Sequence, residues 1–273
     1  MDVASHYDSL GVPSKKARSQ GPAAGLKRVH NAFKEDMILD FARGSGFLVD
    51  LGCGRGGDMN KWARAGVRNA IGMDVSEAQV EEANRRAIES GLMSYSFESC
   101  SSSLAELDDI PDGCADAVTS MFSLNYFFGS EESASRVFER ASRLLRPGGR
   151  FFGVYVDGDA VCTLASRGPT ISNAYELEPS WDDFEAGRSE YGDGYKLLVK
   201  DTVMDGSSVG GSAPVEYVTR SSEICRLAAK AGLRVARGGF REPCAKSIRD
   251  PGYRVVASLT RSFAFEKLPK SNV

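Results

Sequence analysis

The stretch Phe47-Leu48-Val49-Asp50-Leu51-Gly52-Cys53-Gly54-Arg55-Gly56-Gly57-Asp58 constrains this chain more than any other. A short apolar run ends in a carboxylate, enters a glycine-rich loop and leaves it with Met59, Trp62 and Ala63 at helical spacing. That order reads as strand, tight turn and helix N-terminus, an arrangement suited to a nucleotide-like ligand. Glycine serves such a loop because it accepts positive φ and lets the backbone lie against a ligand with no Cβ between them. Ala70-Ile71-Gly72-Met73-Asp74 reads as the next strand. Its Asp74 stands about 20 residues past the loop, where a carboxylate accepts hydrogen bonds from a ribose diol. The chain is expected to bind an adenosine-containing cofactor.

The rest of the chain supports an α/β sheet. Leu26, Val29, Phe33, Met37, Ile38 and Phe41 recur near helical spacing and predict a helix from Gly25 to about Ala42. Strands are expected at about 46–51, 70–74, 94–99, 115–121 and 149–156, alternating with helices, the pattern of a parallel sheet covered on both faces. Turn residues and acids accumulate between about 157 and 219, which reads as an insertion over the top of the sheet. It holds a strand candidate at 195–203 and a glycine-serine loop from Gly206 to Gly211. A helix near 220–231, a strand near 233–239 and a final strand near 253–266 then resume the core. Residues 1–24, polar and rich in small residues, are expected to be a flexible segment before a single domain spanning 25–273.

Composition narrows the function. The 273 residues suffice for one large domain, and 42% hydrophobic with 26% charged residues is ordinary for a globular protein. The N-terminus lacks signal-peptide features, and no apolar run reaches membrane-spanning length. Six cysteines without C-x-x-C spacing, and two histidines, suggest free thiols in a reducing compartment and no metal site. A net charge of −3 argues against wrapping long nucleic acid, but leaves room for a local pocket that holds a few phosphates.

Gly52, Gly54 and Gly57 also satisfy G-x-G-x-x-G, so a nicotinamide enzyme is permitted. Two further segments favour S-adenosylmethionine. Val49-Asp50-Leu51-Gly52-Cys53-Gly54 resembles motif I of the Rossmann-like methyltransferases, and Leu144-Leu145-Arg146-Pro147-Gly148-Gly149-Arg150-Phe151 looks like that family's turn into the fifth strand. More specifically, the chain resembles the mRNA cap guanine-N7 methyltransferases from about His6 to Lys267. His6-Tyr7-Asp8 with Arg18-Ser19-Gln20 is similar to their N-terminal signature, and Leu26 to Lys34 to their L-R-x-F-N-N-W-x-K segment. Leu51 to Trp62 is close to their L-G-C-G-K-G-G-D-L-x-K-W, Pro214-Val215-Glu216-Tyr217 to their P-x-E-[FY], and Phe263 to Lys267 to their last strand.

The resemblance implies a Rossmann-like fold, with a seven-stranded, mostly parallel sheet, an antiparallel C-terminal hairpin and an insertion covering the cap site. It further implies that Lys34, Gly52, Gly54, Asp74, Ser101, Ser102, Met121 and Tyr126 line an S-adenosylmethionine site. His30, Asn31, Arg55, Lys61, Arg86, Asn125 and Glu216 are implied to face a GpppN cap, with Arg85 able to exchange roles with Arg86. The substrate would be the 5′ cap of RNA. Other capping enzymes or an activating subunit remain open as partners, and a monomer located in the nucleus, or in the cytoplasm if viral, is expected. The chain departs from the family at Ser101-Ser102, at Met121 and Asn125, and at Thr260, where a tyrosine is usual. A small-molecule methyltransferase and a catalytically silent capping-complex module stay open as alternatives.

Guanine N7 carries a lone pair and no proton, so methyl transfer to it is an in-line displacement that needs no general base. Positioning alone can supply about 7–11 kcal/mol to such a step. Glu216 is the candidate for reading guanine, because its carboxylate can accept from both N1–H and N2–H₂.

Overall fold

The apolar run that opens the glycine loop forms β1 (Phe47–Leu51), inside a seven-stranded sheet. In the computed structural model, residues 3–9, 21–101, 104–166, 168–181, 189–202 and 213–269 are described. β1 pairs in parallel with β2 (Asn69–Asp74) and with β4 (Ala115–Met121), and β3 (Tyr95–Ser99) extends the sheet beyond β2. On the other side lie β5 (Leu145–Val156), parallel to β4, then β11 (Thr260–Lys267) and β10 (Leu233–Val235). Only β11 runs against its neighbours, which gives the expected antiparallel hairpin with β10. Strand order reverses between β1 and β4, so a crevice opens at their carboxyl ends, where the glycine loop begins.

Both faces of the sheet are covered, so β1 is apolar on successive residues. Val49 and Leu51 pack with Phe138, Phe151, Phe263 and Phe265 on one face, and Leu48 packs with Trp62, Phe152 and Ala264 on the other. Truncating a fully buried ring such as Phe263 to alanine would cost about 3–5 kcal/mol. Trp62, in α3 (Met59–Arg64), stacks on Phe97 beneath the loop. Helices α2 (Ala24–Phe41) and α7 (Ser221–Lys230) fall close to the expected 25–42 and 220–231, and α4 (Glu77–Glu89) and α5 (Glu131–Leu144) lie between strands as the alternation requires.

Several boundaries differ from expectation: the strands expected at 195–203 and 233–239 end at Val199 and Val235, and two differences have clear local causes. Pro147-Gly148-Gly149 does not precede β5 but lies inside it as an irregularity, with Ala115 opposite Leu145 and Ala117 opposite Arg150. The final strand starts at Thr260, because residues 251–258 form helix α8 (Pro251–Ser258). Its start signal was present in the sequence: Asp250 accepts from the backbone N–H groups of Gly252 and Tyr253, and Pro251 occupies the first turn.

The insertion begins with α6 (Gly158–Ala165) and builds a second, antiparallel sheet. Its strands are β6 (Thr170–Ile171), β7 (Tyr175–Pro179), β8 (Gly194–Val199) and β9 (Val215–Tyr217). Leu177, Tyr195 and Leu197 of this sheet share a buried cluster with Leu26 of α2 and with Tyr253 and Val256 of α8. The Gly206–Gly211 loop, Arg18-Ser19-Gln20 and Ser102 lie outside the described residues. Within the N-terminal segment, residues 3–9 form α1 (Val3–Ser9), with His6 buried.

Candidate active site

The glycine loop and β2 are tied together at the crevice. Gly54 N–H donates to Asp74 Oδ2 at 2.7 Å, and Ser76 N–H donates to Oδ1 at 3.0 Å, so backbone dipoles orient the carboxylate. Burial still raises the Asp74 carboxyl above its ordinary value. Gly52 has φ +78° and packs so close to Ser123 that a Cβ would lie 2.3 Å from the serine Cβ. Gly54 has φ +50°, and a Cβ there would meet no atom within 4 Å, which leaves its backbone open to the crevice. The loop therefore has one glycine for protein packing and another facing free space.

Asp50, at the end of β1, is buried and accepts from Thr119 Oγ1 at 2.6 Å. Loss of solvent pushes its carboxyl up to about 7. Lys34 reaches Asp58 at 2.8 Å, and Lys61 reaches the other oxygen of the same carboxylate at 2.7 Å. Two cations on a single buried acid hold the Asp58 pKa below its usual range despite desolvation. Lys61 also donates to the Gly57 carbonyl, and burial lowers its own pKa.

Arg55 and Arg86 meet at the loop: Arg86 donates to the Arg55 carbonyl, and Arg55 Nε donates to Gln79 Oε1 at 2.8 Å. Arg85 instead pairs with Glu82 and Glu89 on the exposed side of α4, which separates its role from that of Arg86. Lys61 turns away from this pair toward Asp58, so the three expected phosphate contacts divide into two groups. Ser101 follows β3 and is exposed, donating to Glu106 at 2.9 Å. Met121 is buried at the end of β4. Next to it, Phe122 holds φ +67°, a strained value for an aromatic residue.

A second group forms where the two sheets meet. Glu216 on β9 is buried; Tyr195 OH donates to its Oε2 at 2.9 Å, and Tyr126 OH lies 3.5 Å from Oε1. Desolvation pushes the Glu216 carboxyl up to about 7 against the pull of these hydroxyls. Tyr126 OH also contacts Tyr7 OH at 2.9 Å, so α1 reaches this cluster. The same helix bonds to the cofactor side, where Gln79 Nε2 donates to the Tyr7 carbonyl and Ser76 Oγ to Asp8.

Asn125 is enclosed: its amide pairs with both the N–H and the C=O of Val156, and Nδ2 also lies 3.3 Å from Tyr195 OH. His30 Nε2 lies 3.1 Å from Thr260 Oγ1, and its ring packs 5.0 Å from Phe122. Burial beside Lys34 lowers the imidazole pKa to about 4, so the ring is neutral. Asn31 is exposed on α2. Sequence reasoning did not assign Asp58, Tyr195 or Tyr7. Tyr7 lay within a quoted motif, whereas Tyr195 gave no signal because β8 and β9 are far apart in the chain.

A family model for the mRNA (guanine-N(7))-methyltransferase domain matches residues 1–246. The chain belongs to that family. It is 31% identical over 259 residues to the mRNA cap guanine-N(7) methyltransferase of Cryptococcus neoformans var. neoformans serotype D (strain B-3501A), covering 88% of this chain and 35% of that protein. To the Saccharomyces cerevisiae protein of the same name it is 28% identical over 260 residues, covering 85% of this chain and 56% of the relative. The chain thus spans well under two thirds of the length of these relatives. Among solved structures, a putative S-adenosylmethionine dependent methyltransferase from Listeria monocytogenes shares the fold, with TM-score 0.61 and 17% identity. That match covers 90% of this chain and all of the other. No helix among the described residues is long and apolar enough to cross a membrane.

Proposed function

We propose that this family member transfers a methyl group from S-adenosylmethionine to guanine N7 of a GpppN RNA cap. The observation that carries the reading is a buried, tyrosine-held Glu216 on a sheet of its own, in a chain whose crevice presents Asp74 beside an open glycine loop. The residues fit the cofactor: Asp74 suits a ribose diol, the Gly54 backbone allows close approach, and Lys34 suits a carboxylate. When bound, the cofactor supplies an electrophilic methyl on a sulfonium.

The chain's own residues then act by position. Glu216, as a carboxylate, accepts from the guanine N1–H and N2–H₂ and turns the opposite edge of the base toward the crevice. Tyr195 fixes the carboxylate, and Tyr126 stands between the two pockets. Asp50 lies buried below the loop and favours a nearby positive charge. Neutral His30 and Phe122 offer flat faces for the base, and Arg55 with Arg86 offers charge to the triphosphate. No group is required to remove a proton, because N7 has none.

Asn125 and Lys61 support the site by holding Val156 and Asp58. Capping enzymes or an activating subunit are the partners this reading favours, with the nucleus, or the cytoplasm for a viral protein, as its place. The test is transfer of labelled methyl to GpppA, to free GTP and to a panel of small nucleophiles. Label on the capped dinucleotide supports the reading, and label on a small nucleophile alone overturns it.

A further inference from the structure

Resting on the cap reading, we propose that the exposed ridge at the start of α2 is a track for the RNA chain behind the cap, with Arg28, Lys246 and Arg249 contacting its phosphates. Among the described residues most cations are spent on carboxylates, as in Arg64–Glu35, Arg136–Glu132, Arg226–Glu131 and Arg241–Asp40. Arg28, Lys246 and Arg249 are exposed, and their side chains make no ion pair or hydrogen bond among the described residues.

These three are gathered by the fold. The 3₁₀ turn Ala245–Ser247 packs on α2 and α8. A Cβ on Gly25 would stand 3.8 Å from Ile248 Cα and 4.0 Å from Arg28 Nη2, so the Arg28 guanidinium and Ile248, which lies between Lys246 and Arg249, flank the same point of α2. Asp250, next to Arg249 in the chain, caps α8 and accepts from Asn173, and Asp201 accepts from Ala23 N–H.

The ridge also continues the site. Asn31, three residues after Arg28 and likewise exposed, shares its face of α2, the helix that also carries His30 and Lys34. The first turn of α2 carries no acid and is closed by Lys27 with Arg28 next, while the last turn carries no base and holds Asp40. A helix dipole favours the opposite placement, so this distribution works against helix stability. Recruiting a polyanion to the N-terminal part gives a reason for it. The net charge of −3 confines such binding to a local strip rather than the whole surface.

The test compares the wild-type chain with the triple variant Arg28→Ala/Lys246→Ala/Arg249→Ala, and with the single Arg28→Glu. Anisotropy of a short fluorescent single-stranded RNA, capped and uncapped, is followed across a salt series. Loss of three phosphate contacts should lower the salt slope of log Kd by about 2 and weaken RNA binding about tenfold or more. Methyl transfer to the GpppG dinucleotide should keep its KM, while KM for capped RNA rises. An unchanged salt slope, or equal loss on dinucleotide and RNA, would overturn the track. If no cap is methylated at all, the cap reading fails, and binding of uncapped RNA still decides the ridge on its own.

Discussion

Tyr195 and Glu216 stand directly opposite each other on β8 and β9, and the tyrosine hydroxyl donates to the carboxylate across 2.9 Å. The pair places a buried carboxylate on the second sheet, whereas the crevice at the ends of β1 and β4 belongs to the first. Under the proposed function, guanine selection and cofactor binding rest on separate parts of the fold, and mutations should separate them.

Glu216→Gln should weaken binding of a cap dinucleotide about tenfold to hundredfold while leaving cofactor affinity near wild type, as expected for loss of charge-assisted bonds of about 1.5–3 kcal/mol. Calorimetric titration with GpppA and with S-adenosylhomocysteine measures both. Equal loss of the two affinities would contradict the assignment.

The pH dependence has a definite sign. Glu216 and Asp50 both titrate near 7 in the folded protein, above the ordinary carboxylate range. Each binds its proton more tightly in the folded chain than in the unfolded one. Their contribution to ligand-free stability is thus fully present in acid, below the ordinary carboxylate pKa. It declines as pH rises toward about 7 and is level above that, with a slope of at most about 1.4 kcal/mol per pH unit for each group. Glu216→Gln should remove its share, which urea melts at several pH values would detect. Cap binding should run the other way, falling as acid protonates Glu216, and this limb should vanish in the glutamine variant.

Asp58→Ala leaves the buried Lys61 and the half-buried Lys34 without their shared counter-charge. A loss of about 3–5 kcal/mol is expected in denaturant unfolding. Lys61→Met, which retains the Lys34–Asp58 pair, should cost less. A reversed ranking would contradict the view that Asp58 anchors both cations.

Asp74→Ala removes the acceptor for Gly54 N–H as well as the proposed ribose contact. Affinity for S-adenosylhomocysteine should fall about tenfold to hundredfold. An unchanged dissociation constant would refute the ribose role.

Much of this was legible from local sequence, because strand, glycine loop and carboxylate follow each other within a few residues. Phe47 to Asp58 and Asp74 were readable for that reason. The helix at 251–258 was missed because Tyr253, Val255 and Val256 have strand-like propensity, and the Asp250–Pro251 cap outweighed it. Asn125, implied to face the cap, turned to the backbone of Val156, and Lys61 to Asp58. Polar side chains inside a fold go to whichever unpaired group lies nearest, and that depends on long-range packing. Tyr7 and Tyr195 could not be assigned for the same reason: their partners, Tyr126 and Glu216, arrive from distant segments.

The most direct test of the central claim is a crystal structure with GpppA and S-adenosylhomocysteine bound together. Guanine N7 should face the cofactor sulfur, with the N1–H and N2–H₂ edge on Glu216. A purine bound outside the crevice, or one that turns another edge to the sulfur, would contradict methyl transfer by positioning.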